Sequence, residues 1–298
     1  MKKCILTLTM LLLSLPAMAE LRLFACEPEW AALSKELGGE KLTIYTATSG
    51  LQDPHYIQAR PSLIAKARRA DVLVCTGAGL ESGWLPLLQR KSGNSAIQVG
   101  GKGYFMASDY VKLAEVPVTV DRSQGHIHAA GNPHIQTSPL NILKVAEALA
   151  QRLQALDREN SDYYKKRWED FNQSWQAAIE HWQQQAAPLK NIGIVVQHDN
   201  WIYMTQWLGM KTVAILEPKP GVPPGIDDLQ NVVNLLKTSP AKMVIRAAYQ
   251  SSRASDWLAE KTGLPEVVLP FTVGGDKESK DLFSLFDNTI KRLLGANS

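Results

Sequence analysis

From Ser161 to Ala187 the chain runs for about 27 residues without a glycine or a proline. Within that tract Tyr164, Trp168, Phe171, Trp175, Ala178 and Trp182 recur at spacings of four, three, four, three and four. That rhythm puts them on one stripe of an α-helix, and at 1.5 Å per residue the helix is about 40 Å long. An aromatic stripe of this kind predicts packing against a core. The helix is therefore a stiff strut, and the segments on either side decide what it joins.

Both sides carry the same pattern. From Leu21 to Gly100 the runs "LRLFAC", "KLTIYTA" and "DVLVCTG" are strand-like, and helical patterns such as "EPEWAALSKELGG" and "PSLIAKARRA" separate them. After Lys190 the rhythm returns, with "NIGIVVQH", "KTVAIL", "AKMVIRA" and "EVVLPF" alternating with amphipathic segments. Apolar strands alternating with helices predict parallel sheets covered on both faces. The expected fold is α/β: two parallel-sheet α/β lobes joined by one long rigid helix. The expected division is a leader at 1–19, an N-terminal lobe at 20–160, the linking helix at 161–189 and a C-terminal lobe at 190–298. A stiff connection restricts hinge motion more than a flexible linker does.

The leader is read from Lys2 and Lys3, the apolar run Cys4 to Leu15, and Ala17-Met18-Ala19. This is a charged start, a short hydrophobic stretch and a cleavage site after Ala19, and it predicts a periplasmic protein. Removing two lysines takes the formal charge from +3 to +1. No long basic run stands out, so nucleic acid is not an implied partner. The remaining cysteines, Cys26 and Cys75, each close a strand-like run. In an oxidising compartment they pair if the first and third strands are neighbours; otherwise they are buried free thiols.

The histidines carry the functional signal. His181 sits in the polar helical stretch "AAIEHWQQQ" and reads as a solvated residue, whereas His55 follows the second strand, His134 precedes a helix that starts near Leu140, and His198 ends "IGIVVQH". Residues just past the carboxyl ends of parallel strands share one crevice. Three imidazoles plus a carboxylate suit tetrahedral Zn²⁺, and oxygen-rich sites suit Mn²⁺ better. By the same geometry a fourth ligand is expected after "EVVLPF", where Asp276 is the nearest carboxylate and Glu278 and Asp281 stand in reserve. Asp281 also reads as a helix-start residue. Asp199 and Glu217 are candidates to orient the imidazoles, while Arg60 reads as a surface charge. His126 and His128, with Asp121, lie in the short loop "DRSQGHIHAAGNPH" and read either as an exposed loop or as a weak capture point for metal.

Taken in order, "DPHYIQARPS", "NPH", "HDN" and "EPKPGVPPG" resemble the periplasmic solute-binding proteins of zinc and manganese ABC transporters. The resemblance covers nearly all of the chain beyond the leader. It implies a metal site at His55, His134 and His198 with a C-terminal carboxylate, here Asp276. It also implies an inner-membrane permease with its ATPase as partners, a monomer, and transport rather than catalysis. In that family His at the third position accompanies zinc, so Zn²⁺ is expected ahead of Mn²⁺. The sequence departs from the family pattern after His134, after His198 and at "TVGGD". Two other readings remain at this level: a zinc chaperone or buffer without a transporter, and a zinc hydrolase with water in place of Asp276.

Overall fold

The computed structural model describes residues 20–117 and 128–297. The leader, Asp121 and His126 lie outside the described residues. The first unit contains β1 (Leu21–Ala25), α1 (Pro28–Gly38), β2 (Leu42–Thr46), α2 (Pro61–Arg68), β3 (Val72–Cys75), α3 (Leu85–Ser92) and β4 (Tyr104–Met106). Then come α4 (Pro139–Leu156) and the long α5 (Ser161–Gln185). The second unit contains β5 (Gly193–Val196), α6 (Ile202–Leu208), β6 (Lys211–Ile215), α7 (Ile226–Leu236), β7 (Met243–Ala247), α8 (Arg253–Thr262), β8 (Glu266–Leu269) and α9 (Leu282–Asn297).

Each unit holds one four-stranded parallel sheet, ordered β2-β1-β3-β4 and β6-β5-β7-β8. The two orders are equivalent, so the same crossover is made twice. All four residues of β3 are buried, as a central strand covered on both faces requires. Helix starts and stops follow local chemistry. Proline occupies the first turn of α1, α2, α3 and α4, where its missing N–H costs nothing. Gly209 stops α6 in the left-handed conformation, with φ 66°.

The strut is as expected, with two adjustments. Helix α5 ends at Gln185, and its stripe passes through buried Ile179 rather than half-buried Ala178. Tyr164, Phe171, Trp175 and Trp182 are buried. The indole of Trp175 donates to Pro139 O at 2.9 Å, at the start of α4, and that of Trp182 donates to Asp287 Oδ1 at 2.6 Å, on α9. Residues from one face of each sheet belong to a single apolar core with α4, α5 and α9. Truncating one of these buried tryptophans to alanine costs about 3–5 kcal/mol. A shared core of this kind couples the two units and resists wide hinge motion.

In sheets of this order the ligand crevice lies past the ends of the two central strands. In the first unit β1 and β3 are neighbours, and a disulfide between Cys26 and Cys75 closes that place, with Cα atoms 4.8 Å apart. Glu81 lies within 4.8 Å of both sulfurs, but sulfurs bonded to each other are not metal ligands. The equivalent place in the second unit is occupied by Gln197 and His198. Among the described residues no helix is long and apolar enough to cross a membrane.

Candidate metal centre

Two short motifs use one device. In Asp53-Pro54-His55 the Asp53 Oδ1 accepts from His55 N at 3.0 Å and lies 2.7 Å from His55 Nδ1. In Asn132-Pro133-His134 the Asn132 Oδ1 accepts from His134 N at 3.1 Å and lies 2.8 Å from His134 Nδ1. An Asx side chain reaching the N–H two residues on is a local turn. Here the same oxygen also grips the ring. His198 reaches the same state by a longer route: its Nδ1 lies 2.7 Å from Glu217 Oε2, past the end of β6, and that oxygen also accepts from Gly221 N at 2.7 Å. With Nδ1–H donated in each case, the Nε2 lone pair is left for a metal.

The three rings converge. Ring centroids are 5.6 Å apart for His55 and His134, 6.2 Å for His55 and His198, and 5.5 Å for His134 and His198. A fourth imidazole joins them. His128 Nε2 lies 3.2 Å from His55 Nε2, and its ring centroid is 6.1 Å from that of His134. Two nitrogens on a tetrahedral zinc at 2.0–2.1 Å are about 3.3–3.4 Å apart, so the hydrogen-bonded pair at 3.2 Å is close to the spacing of a tetrahedral edge. His134 is 1 % exposed, and its Nε2 has no hydrogen-bond partner among the described residues. A buried nitrogen acceptor without a donor fits a cation.

The electrostatics suit a dication. Burial, reinforced by the neighbouring imidazoles, holds His134 well below the usual histidine range, so it is neutral. Burial works against the charge on Asp53, but its bonds to His55 outweigh that and keep it below the usual carboxylate range. Asp53 and Glu217 thus set two carboxylates behind the rings, matching the charge of one divalent ion.

Other sequence candidates are placed differently. Asp276 Oδ2 pairs with Arg292 Nη2 at 2.7 Å and accepts from Asn288 at 2.8 Å, while its Oδ1 accepts from Ser279 N at 2.8 Å and Glu278 N at 3.1 Å. These bonds close a turn onto α9, and the structure does not bring Asp276 to the imidazoles through any of them. Glu278 Oε2 is 3.8 Å from the same guanidinium. Asp281 caps α9, accepting from Ser284 N at 2.7 Å. What the segment after β8 gives the site is Phe271, whose ring centroid lies 5.7 Å from that of His134. Asp199 does not orient His198. Burial and a shared bond with Glu115 push its carboxyl up to about 7. Arg60 is exposed at the start of α2, and His181 is exposed on α5.

The units meet beside this centre. Asn132 Nδ2 donates to Asp199 O at 2.7 Å, and Tyr203 Oη donates to Asn132 O at 2.6 Å. Gly50, in the loop that leads to His55, packs so closely that an added Cβ would lie 2.4 Å from the Gly274 and Gly275 backbone. Thr272 bonds Glu29 of α1 through its hydroxyl at 2.5 Å. Glu29 belongs to a buried acidic group with Glu27 and Glu81 that the sequence pattern did not signal. Burial pushes Glu29 and Glu81 up to about 7, and holds Glu27 well above the usual carboxylate range.

Known proteins resemble this chain in sequence and in fold. Residues 24–296 match the family model described as zinc-uptake complex component A, periplasmic. The high-affinity zinc uptake system protein ZnuA of Bacillus subtilis is 24% identical over 246 residues, covering 82% of this chain and 76% of that protein. The manganese ABC transporter substrate-binding lipoprotein PsaA of Streptococcus pneumoniae is 22% identical over 258 residues, covering 84% and 79%. A crystal structure of ZnuA superimposes with a TM-score of 0.78 at 20% identity, covering 94% of this chain and 100% of that one. A periplasmic metal-binding protein from Candidatus Liberibacter asiaticus gives 0.76 at 16% identity, covering 94% and 100%.

Proposed function

The chain belongs to the periplasmic zinc-uptake complex component A family, solute-binding proteins rather than enzymes, and we propose that it captures Zn²⁺ and delivers it to an ABC permease. It is thus a metal ABC transporter substrate-binding protein, and its curated relatives include both zinc and manganese proteins. The choice of zinc rests on the donors. Four imidazoles and no committed carboxylate oxygen favour zinc over manganese. The carrying observation is the 3.2 Å edge between His55 and His128 beside the partnerless Nε2 of His134.

In this reading the ion is held by His55, His128, His134 and His198, and Asp276 is left to Arg292. Residues 20–160 and 190–298 act as two lobes and 161–189 as the strut. Cleavage after Ala19 releases a monomer into the periplasm. The shared core limits closure, so the ion enters and leaves by movement of the loops that carry the histidines. A permease with its ATPase would draw those loops apart. Four protein donors leave no open position, the pattern of a holding site rather than a catalytic one, and the need for an external agent to open it favours transport over a free-standing buffer.

The test is a titration of metal-free protein with Zn²⁺ and with Mn²⁺ against a competing chelator, repeated with His198→Ala. One-to-one zinc binding, much tighter than manganese binding and lost in the variant, is expected. Equal affinity for the two metals would overturn the zinc assignment. Undiminished binding by the variant would overturn the site.

A further inference from the structure

The imidazoles lie between a cavity and a recess. The cavity, of about 660 Å³, is on the second unit's side and has His55 and His198 at one end. The recess, of about 200 Å³, is where the units meet, and His128, His134 and His198 line it. A metal site closed by its protein donors needs an entry path, and the two openings offer an arriving dication different chemistry. In the cavity both carboxylates are already used, Asp53 on His55 and Glu217 on His198. Arg253 adds a positive charge to its wall, and Leu229 and Trp257 make part of that wall apolar. Neither an apolar surface nor a like charge replaces the hydration of a cation.

The recess is the opposite. Glu115 and Asp199 line it, and among the described residues no lysine or arginine does. Glu115 comes from the first unit and Asp199 from the second, and their carboxyl groups are bonded to each other. Asn132 ties this pair to the centre. Its Nδ2 donates to Glu115 Oε2 at 3.1 Å and to Asp199 O at 2.7 Å, while its Oδ1 holds the ring of His134. Glu115 is exposed and Asp199 is half-buried, so the pair is open to solvent. His134, on the same recess, is the independent sign of a cation. It is 1 % exposed, and the Nε2 that Asn132 leaves free has no partner among the described residues. One wall thus carries exposed carboxylate oxygens and a buried, unpaired nitrogen acceptor.

We propose that Glu115 and Asp199 form a receiving station for divalent cations, from which the ion passes along the recess to the four imidazoles. The ion first meets carboxylate oxygens, and movement of the histidine loops then transfers it to the rings, so the final four-donor site is unchanged. Carboxylate oxygens suit manganese as well as zinc, so the station collects dications and the imidazoles select among them. A cleft lined by one sign of charge raises association rates about 10–10³-fold. This inference rests on the metal-binding reading above.

The test mixes metal-free full-length protein with Zn²⁺ by stopped flow, a fluorescent zinc indicator reporting the free ion. Dissociation is followed by a chase with excess chelator. The variant is Glu115→Gln with Asp199→Asn, which removes both charges and keeps an acceptor for Asn132. Association should slow at least ten-fold, and dissociation should slow in parallel, because a station on the route serves both directions. Zinc affinity should then stay within about three-fold. Restoring one carboxylate, with Asp199→Asn alone, should recover part of the association rate. Arg253→Ala, on the larger cavity, should change neither rate more than two-fold. Association within two-fold of the unsubstituted protein overturns this inference. So does slower association with unaltered dissociation, which makes the pair only a source of field. Faster association in Arg253→Ala places entry at the larger cavity and also overturns it. In all three results zinc still binds and the metal reading stands, whereas failure of the unsubstituted protein to bind zinc overturns both.

Discussion

The Nε2 atoms of His55 and His128 lie 3.2 Å apart although 73 residues separate them in the chain. Nothing local brings these nitrogens together; their distance is that of a ring-to-ring hydrogen bond, and it is also close to the spacing of two donors on one cation. If His128 is a ligand and Asp276 is not, the two residues respond oppositely to substitution. An equal quarter of the roughly 10–16 kcal/mol of a four-ligand zinc site is about 3 kcal/mol, or about two orders of magnitude in affinity. His128→Ala should lose about that much in a competitive zinc titration. Asp276→Asn should keep zinc affinity within about two-fold while lowering stability by about 1–2 kcal/mol, through loss of its charged bonds to Arg292. Zinc titration together with urea unfolding of each variant measures both.

Asn132 and Glu217 do the same work for different rings and should fail alike. Each fixes a ring through Nδ1, so Asn132→Ala and Glu217→Ala should each weaken zinc binding about 10–100-fold. Both variants should retain one-to-one stoichiometry by the same titration. Asn132 also bonds Asp199 across the units, so its variant alone should lower the melting temperature of the metal-free protein.

The buried glutamates give stability a direction with pH. Burial raises Glu29 and Glu81 from 4.5 to about 7 in the folded protein. Between these values the folded state keeps protons that the unfolded chain has lost. Their stabilising contribution is therefore fully present below about pH 4.5 and declines as pH rises through about 7. Each carboxyl contributes a slope of at most about 1.4 kcal/mol per pH unit. Urea midpoints of metal-free protein at pH 5.5 and 8 should show this loss, and Glu81→Gln should shrink it.

The disulfide closes a separation of 49 residues. Chain entropy assigns such a link about 4 kcal/mol, an upper value. Reduction, or Cys26→Ser with Cys75→Ser, should lower the unfolding free energy by up to that amount. Zinc affinity should stay within about three-fold, because the link sits at the first unit's strand ends and no histidine depends on it. Unfolding and zinc titration with and without reductant check both parts.

Much of this was legible in the sequence because the signals are local. Strand and helix alternation gave both sheets, although β4, only three residues long, carries too little pattern to be noticed. Asp53-Pro54-His55 and Asn132-Pro133-His134 declare themselves because an Asx side chain acts on a group two residues away. Cys26 and Cys75 could be paired because parallel neighbouring strands end together. What escaped depends on distant partners. His128 reads as an exposed loop residue or a weak capture point, and its place beside His55 shows only in the fold. The pairing of Asp276 with Arg292, on α9, is likewise not visible in the sequence. Glu27 and Glu29 sit in "ACEPEW", which looks like an ordinary acidic helix start, and only the packing of Thr272 and Glu81 around them shows that they are buried.

The most direct test of the central claim is the zinc K-edge X-ray absorption spectrum of the one-to-one zinc complex, recorded without added chelator. Four nitrogen donors at about 2.0–2.1 Å, with the outer-shell scattering of four imidazoles, are predicted. A shell with only three imidazoles and a carboxylate oxygen, unchanged in His128→Ala, would contradict it.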